Sequence, residues 1–128
     1  MQTIKLGSEN LTFEEIVSES TQTTLVYGLF RDDGTHLGKS ICISNKYNGQ
    51  AWYLDNIFIF PEFERKGYGS QLLEATCQAL WMIKQIDIVL ERPGDTVASD
   101  GFNRQEWYER HGFKSSPEPL TWMIHKYE

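Results

Sequence analysis

A short turn with two glycines is the segment of this sequence best suited to binding an anion. Residues 65–70 read R-K-G-Y-G-S, between an apolar run that ends at Pro61 and an amphipathic run from Ser70 onward. A helix that starts there would direct unpaired backbone N–H groups and the positive end of its dipole at the turn. Because glycine has no side chain, a diphosphate could approach those N–H groups closely. Arg65 and Lys66 would complement its charge.

The glycine pattern alone is also typical of ordinary turns, so its context decides the interpretation. The segment lacks the G-K-S/T of nucleoside triphosphate loops and the three-glycine spacing of dinucleotide-binding domains. Its place between an apolar strand and a strong helix nevertheless favours phosphate binding over a purely structural turn.

A second motif, W-Y-E-R-H-G-F at residues 107–113, places two aromatic side chains near the end of a predicted helix. Such aromatics usually pack in a core or at its rim, but the Tyr108 hydroxyl could also donate a proton to a leaving group. Asp55, at the start of the apolar strand, is the best-placed candidate for a general base. Strand alternation predicts that its side chain shares a face with Ile57 and Ile59. The alternative is a solvated charge at a strand end.

The elements that would position these residues follow from hydrophobic periodicity and turn signals. The N-terminal residues 1–23 predict a hairpin, whose second arm could instead be a short helix. An apolar stripe predicts the main helix over residues 70–85, followed by a strand that lies parallel to the one before the turn. The remaining predictions are strands at 24–31, 38–44, 51–60, 86–90, 113–115 and 120–127, and a helix at about 103–110 that Gly112 caps.

Composition narrows the class of protein. The chain has 128 residues, 40% hydrophobic content, a net charge of -6 and a pI of about 5.0. These values predict one packed domain without general affinity for nucleic acid, because phosphate contacts require clustered cations. An acidic surface is compatible with a cationic substrate. No run is long enough for a membrane span or a signal peptide, and no metal-ligand spacing occurs, so we expect a cytoplasmic protein without a metal.

The two motifs, together and in this order, resemble the GNAT N-acetyltransferase superfamily over roughly residues 24–127. The resemblance implies an α+β fold in a single domain over residues 1–128. Its central twisted mixed β-sheet would have about six to seven strands, flanking helices, and splayed fourth and fifth strands that admit acetyl-CoA. The N-terminal part, residues 1–23, is atypical, because it is short and β-rich where most members use two helices to wall the acceptor site.

The resemblance also implies which residues form the site. Backbone N–H groups of residues 64–70 would cradle the CoA diphosphate, and residues 57–59 would pair with the pantetheine arm and polarise the thioester carbonyl. Tyr108 would protonate the departing thiolate. The predicted cofactor-binding residues are Ile57, Phe58, Ile59, Glu64, Arg65, Lys66, Gly67, Tyr68, Gly69 and Ser70.

The chain departs from the family pattern at two positions, only one of which is a predicted cofactor-binding residue. Glu64 stands where members usually have Gln or Arg, and Gly101 stands where many have Asn. From the resemblance, we predict an acetyl-CoA-dependent N-acetyltransferase that acts on a primary amine, either of a small molecule or of a protein lysine or N-terminus. The acidic composition mildly favours a cationic acceptor. The alternative is a CoA-binding sensor or regulatory module without turnover. Neither nucleic acid nor membrane is an expected partner, and a homodimer is compatible with the resemblance.

Overall fold

Eight strands form one mixed sheet in a computed structural model that describes residues 2–93, 102–116 and 121–127. The spatial order of the strands is β1-β2-β3-β4-β5-β6-β8-β7, and two helices and two 3-10 turns complete the described fold. The strands are β1 Gln2–Leu6, β2 Glu9–Glu15, β3 Thr24–Arg31, β4 His36–Ile43, β5 Trp52–Ile59, β6 Ile88–Glu91, β7 Lys114–Ser115 and β8 Trp122–His125. The helices are α1 Tyr68–Ile83 and α2 Arg104–Arg110, and the 3-10 turns are Val17–Glu19 and Pro61–Phe63.

The N-terminal segment is the predicted β-hairpin. Strands β1 and β2 pair antiparallel around a tight turn, with Leu6 opposite Glu9 and Gly7 at a φ of 61°. The second arm is a strand and not the alternative short helix, and it pairs with β3. The sheet has more than the six to seven strands predicted, because both arms of this hairpin and both short closing strands join it.

Strand β5 is paired along its length on one side only. It is antiparallel to β4 from Tyr53 to Ile59, whereas its parallel pairing with β6 is limited to Trp52↔Ile88 and Tyr53↔Val89. Beyond that point the two strands separate, which confirms the predicted splay. The separated part of β5 therefore has an edge whose backbone groups are available to a ligand.

An extra residue interrupts the alternation of β5 at Asp55. Ser40 and Cys42, two apart on β4, face Ile57 and Leu54, which are three apart on β5. Leu54 and Ile57 are buried, whereas Asp55 and its neighbour Asn56 are exposed. The prediction that Asp55 shares a face with Ile57 and Ile59 is therefore wrong, because a β-bulge shifts the period.

Helix α1 covers one face of the sheet and connects β5 to β6. Its buried stripe consists of residues at three- and four-residue spacing, as the periodicity predicts. One polar link lies inside this interface, between the Ser40 and Thr76 hydroxyl oxygens at 2.8 Å, and both residues are fully buried. The stripe contains Leu72, Leu73, Thr76 and Leu80, all with 0% exposure.

Helix α2 begins and ends as its sequence predicts. The Asn103 side chain accepts a hydrogen bond from the Glu106 N–H at 3.1 Å, which caps the first turn. Gly112, at a φ of 96°, takes the left-handed conformation that ends the helix. The short helix thereby delivers Tyr108, which is 6% exposed, to the core beside the open edge of β5.

One buried and one exposed apolar side chain on α1 test which face of this helix packs against the sheet. We expect Leu80→Ala to lower the free energy of unfolding by about 2–5 kcal/mol, because Leu80 is 0% exposed and its truncation leaves a cavity. The control Met82→Ala, at a site that is 88% exposed, should change it by less than about 0.5 kcal/mol. Urea denaturation measures both, and equal losses would contradict the assignment.

Candidate functional site

A cavity of about 550 Å³ lies between the open edge of β5 and the start of α1. Eight of the ten predicted cofactor-binding residues line it, and Lys66 and Tyr68 do not. One part of its wall is apolar, and another is the glycine turn, by which we mean residues 64–70. The predicted residues that line the cavity are Ile57, Phe58, Ile59, Glu64, Arg65, Gly67, Gly69 and Ser70.

The φ values of the glycine turn alternate in sign, as they do in anion-binding concavities of the backbone. Arg65 and Gly67 have positive φ values of 65° and 85°, and Lys66 between them does not. Alternation of left- and right-handed residues directs successive N–H groups toward one point. The first N–H groups of α1 also lack intrahelical acceptors. The turn can therefore offer several N–H donors to one anionic group.

The two glycines serve different purposes. Gly67 is required for its left-handed backbone, which strains any other residue. Gly69 has no such φ, and a Cβ there would lie 3.5 Å from Trp107 and 3.7 Å from Ile59, both of which line the cavity. Gly69 thus leaves space where a ligand would approach the backbone. For both glycines, only this second role is predictable from the sequence.

Glu64 contributes to the turn differently from the prediction. Its N–H donates to the Pro61 carbonyl at 3.3 Å, so this N–H is already paired. The cradle of N–H groups therefore begins after Glu64 and not at it. The side chain is exposed and lines the same cavity as Arg65, which places a carboxylate next to the proposed anion site.

Three cavity-lining residues come from the region of α2 and were not predicted. They are Phe102, Arg104 and Trp107. Arg104 and Trp107 are three residues apart, so they share a helix face. That spacing is visible in the sequence, but which face of so short a helix meets the cavity depends on how the helix packs.

A polar network joins the end of α2 to the start of α1. The Trp107 indole N–H donates to the Ser70 hydroxyl oxygen at 3.1 Å, and His111 Nε2 lies 3.0 Å from the same oxygen. His111 Nδ1 lies 3.3 Å from a Glu74 carboxylate oxygen. His111 thus links Ser70 to Glu74 and fixes α2 against the glycine turn.

A second cavity, of about 230 Å³, brings together the two predicted catalytic residues. Asp55 and Tyr108 both line it, and it shares Ile57 and Arg104 with the first cavity. Among the described residues, none forms a hydrogen bond with the Tyr108 hydroxyl, whereas the Tyr108 carbonyl accepts from the N–H groups of His111 and Phe113. Burial raises the pKa of Tyr108, and the nearby Arg104 partly opposes that rise. The hydroxyl is therefore protonated throughout the neutral pH range.

The second cavity also contains charges of both signs. Besides Asp55 it is lined by Glu91, Arg92 and Arg104. The Glu91 carboxylate accepts a hydrogen bond from the Thr121 hydroxyl at 3.1 Å, and Arg92 is partly buried. A small ligand in this cavity would meet two carboxylates and two guanidinium groups.

Neither of the two cysteines suits nucleophilic catalysis, and the described residues contain no metal-binding cluster. Burial raises the pKa of Cys77 to about 12 and that of Cys42 further, so both thiols are protonated. Within the described ranges, no group of three or more His, Cys, Asp or Glu side chains could hold a metal ion. Among the helices that the structure describes, none combines the length and apolar character needed to cross a membrane.

The chain belongs to the GNAT acetyltransferase domain family, whose sequence profile matches residues 24–115. This range includes β5, the glycine turn, both helices and Tyr108. No curated protein sequence is significantly similar to the chain.

Solved structures share the fold at low sequence identity. A GNAT family acetyltransferase from Elizabethkingia anophelis with acetyl-CoA bound has a TM-score of 0.67 and 12% identity, over 89% of this chain and 94% of that one. The PaiA N-acetyltransferase of Thermoplasma acidophilum in complex with coenzyme A has a TM-score of 0.62 and 21% identity, over 88% of this chain and 66% of that one. A KacTA–DNA complex has a TM-score of 0.65 and 17% identity, over 89% of this chain and 91% of that one. The family is one of acetyltransferases, and these neighbours share the fold of the chain.

Glu64 offers a test of the electrostatics of the first cavity. We expect Glu64→Gln to tighten acetyl-CoA binding by about two- to fivefold at low ionic strength, because it removes an exposed negative charge beside an anionic ligand. The gain should shrink in high salt. Calorimetric titration measures it, with Glu62→Gln as the control, since Glu62 is exposed and does not line the cavity. A weaker affinity in Glu64→Gln would contradict this placement of the diphosphate.

Proposed function

We propose that this protein transfers an acetyl group from acetyl-CoA directly to a primary amine. The observation that carries the proposal is the meeting of two cavities at Ile57, where β5 has separated from β6. One cavity has an anion-binding turn and an apolar wall, which suit the diphosphate and the pantetheine arm of CoA. The other has a protonated tyrosine and a carboxylate, which suit proton transfer to and from an acceptor.

Each residue would have a defined part in the reaction. Acetyl-CoA supplies an activated acyl group as a thioester. Asp55, directly or through water, would accept the proton of the ammonium group, so that the neutral amine can form the new N–C bond. As the C–S bond breaks, Tyr108 would donate its proton to sulfur, and the nitrogen, which must lose a second proton to become an amide, would return a proton to the tyrosinate. Asp55 would then release its proton to solvent. Backbone N–H groups on the open edge of β5 would polarise the carbonyl, and much of the rate would come from holding both substrates together.

The charged residues that line the second cavity indicate which charges an acceptor bound there could carry. A cationic amine was expected from the acidic composition, and Asp55 and Glu91 agree with that expectation. Arg92 and Arg104 would repel a polyamine, but they could pair with an anionic group on the acceptor. We therefore propose a small amine that also carries a carboxylate, such as an amino acid.

The activity test follows CoA thiol release with a panel of amines built as matched pairs. Each pair consists of an amino acid and the amine that remains after loss of its carboxyl group. We expect thiol release above the hydrolysis rate, and a higher kcat/KM for the amino acid of each pair. Arg92→Gln should reduce that preference. No release above hydrolysis with any amine would contradict the proposed activity.

Tyr108→Phe tests the role of the tyrosine. It should lower kcat by roughly 10²-fold or more, the usual range for loss of a general acid, and leave the Kd of acetyl-CoA unchanged. In the wild type, burial raises the pKa of Tyr108 and keeps the hydroxyl protonated. Any alkaline loss of kcat due to this group should therefore occur at a pH above the ordinary pKa of tyrosine. The control is Tyr127→Phe, at a site 39% exposed and remote from both cavities. An unchanged kcat in Tyr108→Phe would remove this residue from the mechanism.

A second candidate function is a CoA-binding sensor or regulatory module without turnover. Glu64 favours it, because a carboxylate beside the proposed diphosphate site lowers affinity for the cofactor. Binding of acetyl-CoA combined with thiol release at the hydrolysis rate for every amine would support the sensor. Transfer to any amine would exclude it.

A further inference from the structure

One arginine contacts the two residues that flank residues 64–67 of the glycine turn. The Arg31 guanidinium carbon lies 5.1 Å from the centre of the Phe63 ring and 5.9 Å from that of the Tyr68 ring. Arg31 also donates from Nη2 to the Tyr68 hydroxyl oxygen at 3.3 Å. Phe63 immediately precedes residues 64–67 and Tyr68 immediately follows them. A single side chain from the end of β3 therefore spans the segment that would surround a diphosphate.

The N-terminal hairpin completes this anchor. The Tyr68 hydroxyl donates to a Glu9 carboxylate oxygen at 2.5 Å, a short charge-assisted hydrogen bond. A Cβ on Gly67 would lie 3.5 Å from Leu6, so the hairpin also lies close behind the turn. Tyr68 is 2% exposed and does not line the cavity. It belongs to the support of the turn and not to its binding surface.

The turn needs such support because of its backbone. Arg65 has a φ of 65°, an unfavourable left-handed conformation for a residue with a side chain. Conformations of this kind persist only where the surrounding structure imposes them. Arg65 and Gly67 have positive φ values and Lys66 between them does not, and this alternation would direct the N–H groups of the turn toward one point. Loss of the anchor would allow the turn to leave its anion-binding shape.

We infer that Arg31 and Glu9, acting through the Tyr68 hydroxyl, are positioning residues that preorganise the glycine turn for the diphosphate of CoA. This inference rests on the proposed binding of acetyl-CoA at the turn. Without the anchor formed by Arg31, Tyr68 and Glu9, the glycine turn would adopt its binding conformation for only part of the time. The apparent affinity for acetyl-CoA would then fall in proportion to the binding-competent fraction. The effect should be confined to ligands that contain the diphosphate.

Two ligands that differ in the diphosphate separate positioning from general stability. Acetyl-CoA contains it, whereas S-acetyl-pantetheine has the same thioester and arm without any phosphate. We expect Tyr68→Phe, which removes only the shared hydroxyl, to raise the Kd of acetyl-CoA about five- to tenfold. The Kd of S-acetyl-pantetheine should change less than about twofold. Calorimetry suits the first ligand and an NMR titration the second.

Further variants keep the test decisive. Arg31→Lys retains the charge but loses the planar contact with both rings, and it should have the same ligand-specific effect. Tyr27→Phe is the matched control, since Tyr27 is another buried tyrosine, at 5% exposure, and it stacks on Phe13 away from the turn. In Tyr68→Phe without ligand, amide hydrogen exchange should accelerate in residues 65–70 and not in the rest of α1.

The outcomes are distinguishable. Equal losses of affinity for both ligands, or unchanged affinity for acetyl-CoA in both Tyr68→Phe and Arg31→Lys, would overturn the inference while leaving acetyl-CoA binding intact. Failure of the wild-type protein to bind acetyl-CoA would overturn the inference and the proposed function together.

Discussion

The early end of pairing between β5 and β6 is the constraint on which the rest of the site depends. Backbone N–H and C=O groups must be paired, whether by another strand, by water or by a ligand. Strand β5 meets this requirement on one side through β4, and on the other side only as far as Tyr53↔Val89. The unpaired edge lies beside both cavities. It is therefore where an extended, amide-containing ligand can complete the sheet.

The elements around this edge explain its division into two cavities. On one side, α1 begins with the glycine turn, and Trp107 and His111 fix α2 to Ser70 at that same point. On the other side, the bulge at Asp55 exposes a carboxylate opposite the face that α1 buries. Ile57, buried in the core, lies between the two cavities. Anion binding and proton transfer are thus placed on adjoining surfaces of one strand.

Local signals made the framework of the site predictable from sequence. The glycine turn, the apolar stripe of α1, and the Asn103 and Gly112 ends of α2 are each encoded within a few residues. Three features of the site could not be predicted from local sequence signals. The bulge at Asp55 depends on the register between two strands, and the place of Arg104 and Trp107 depends on how α2 packs. The contact of Tyr68 with Glu9 joins residues 59 apart in the chain, so neither position alone indicates it.

In the proposed complex, the glycine turn holds the diphosphate while the thioester reaches the point where the cavities meet. A crystal structure of the protein with acetyl-CoA would show both placements. We predict diphosphate oxygens at hydrogen-bond distance, about 3 Å, from backbone nitrogens between Arg65 and Ser70, with the thioester sulfur near Tyr108. A diphosphate bound away from the turn, or a thioester remote from Tyr108, would contradict the account.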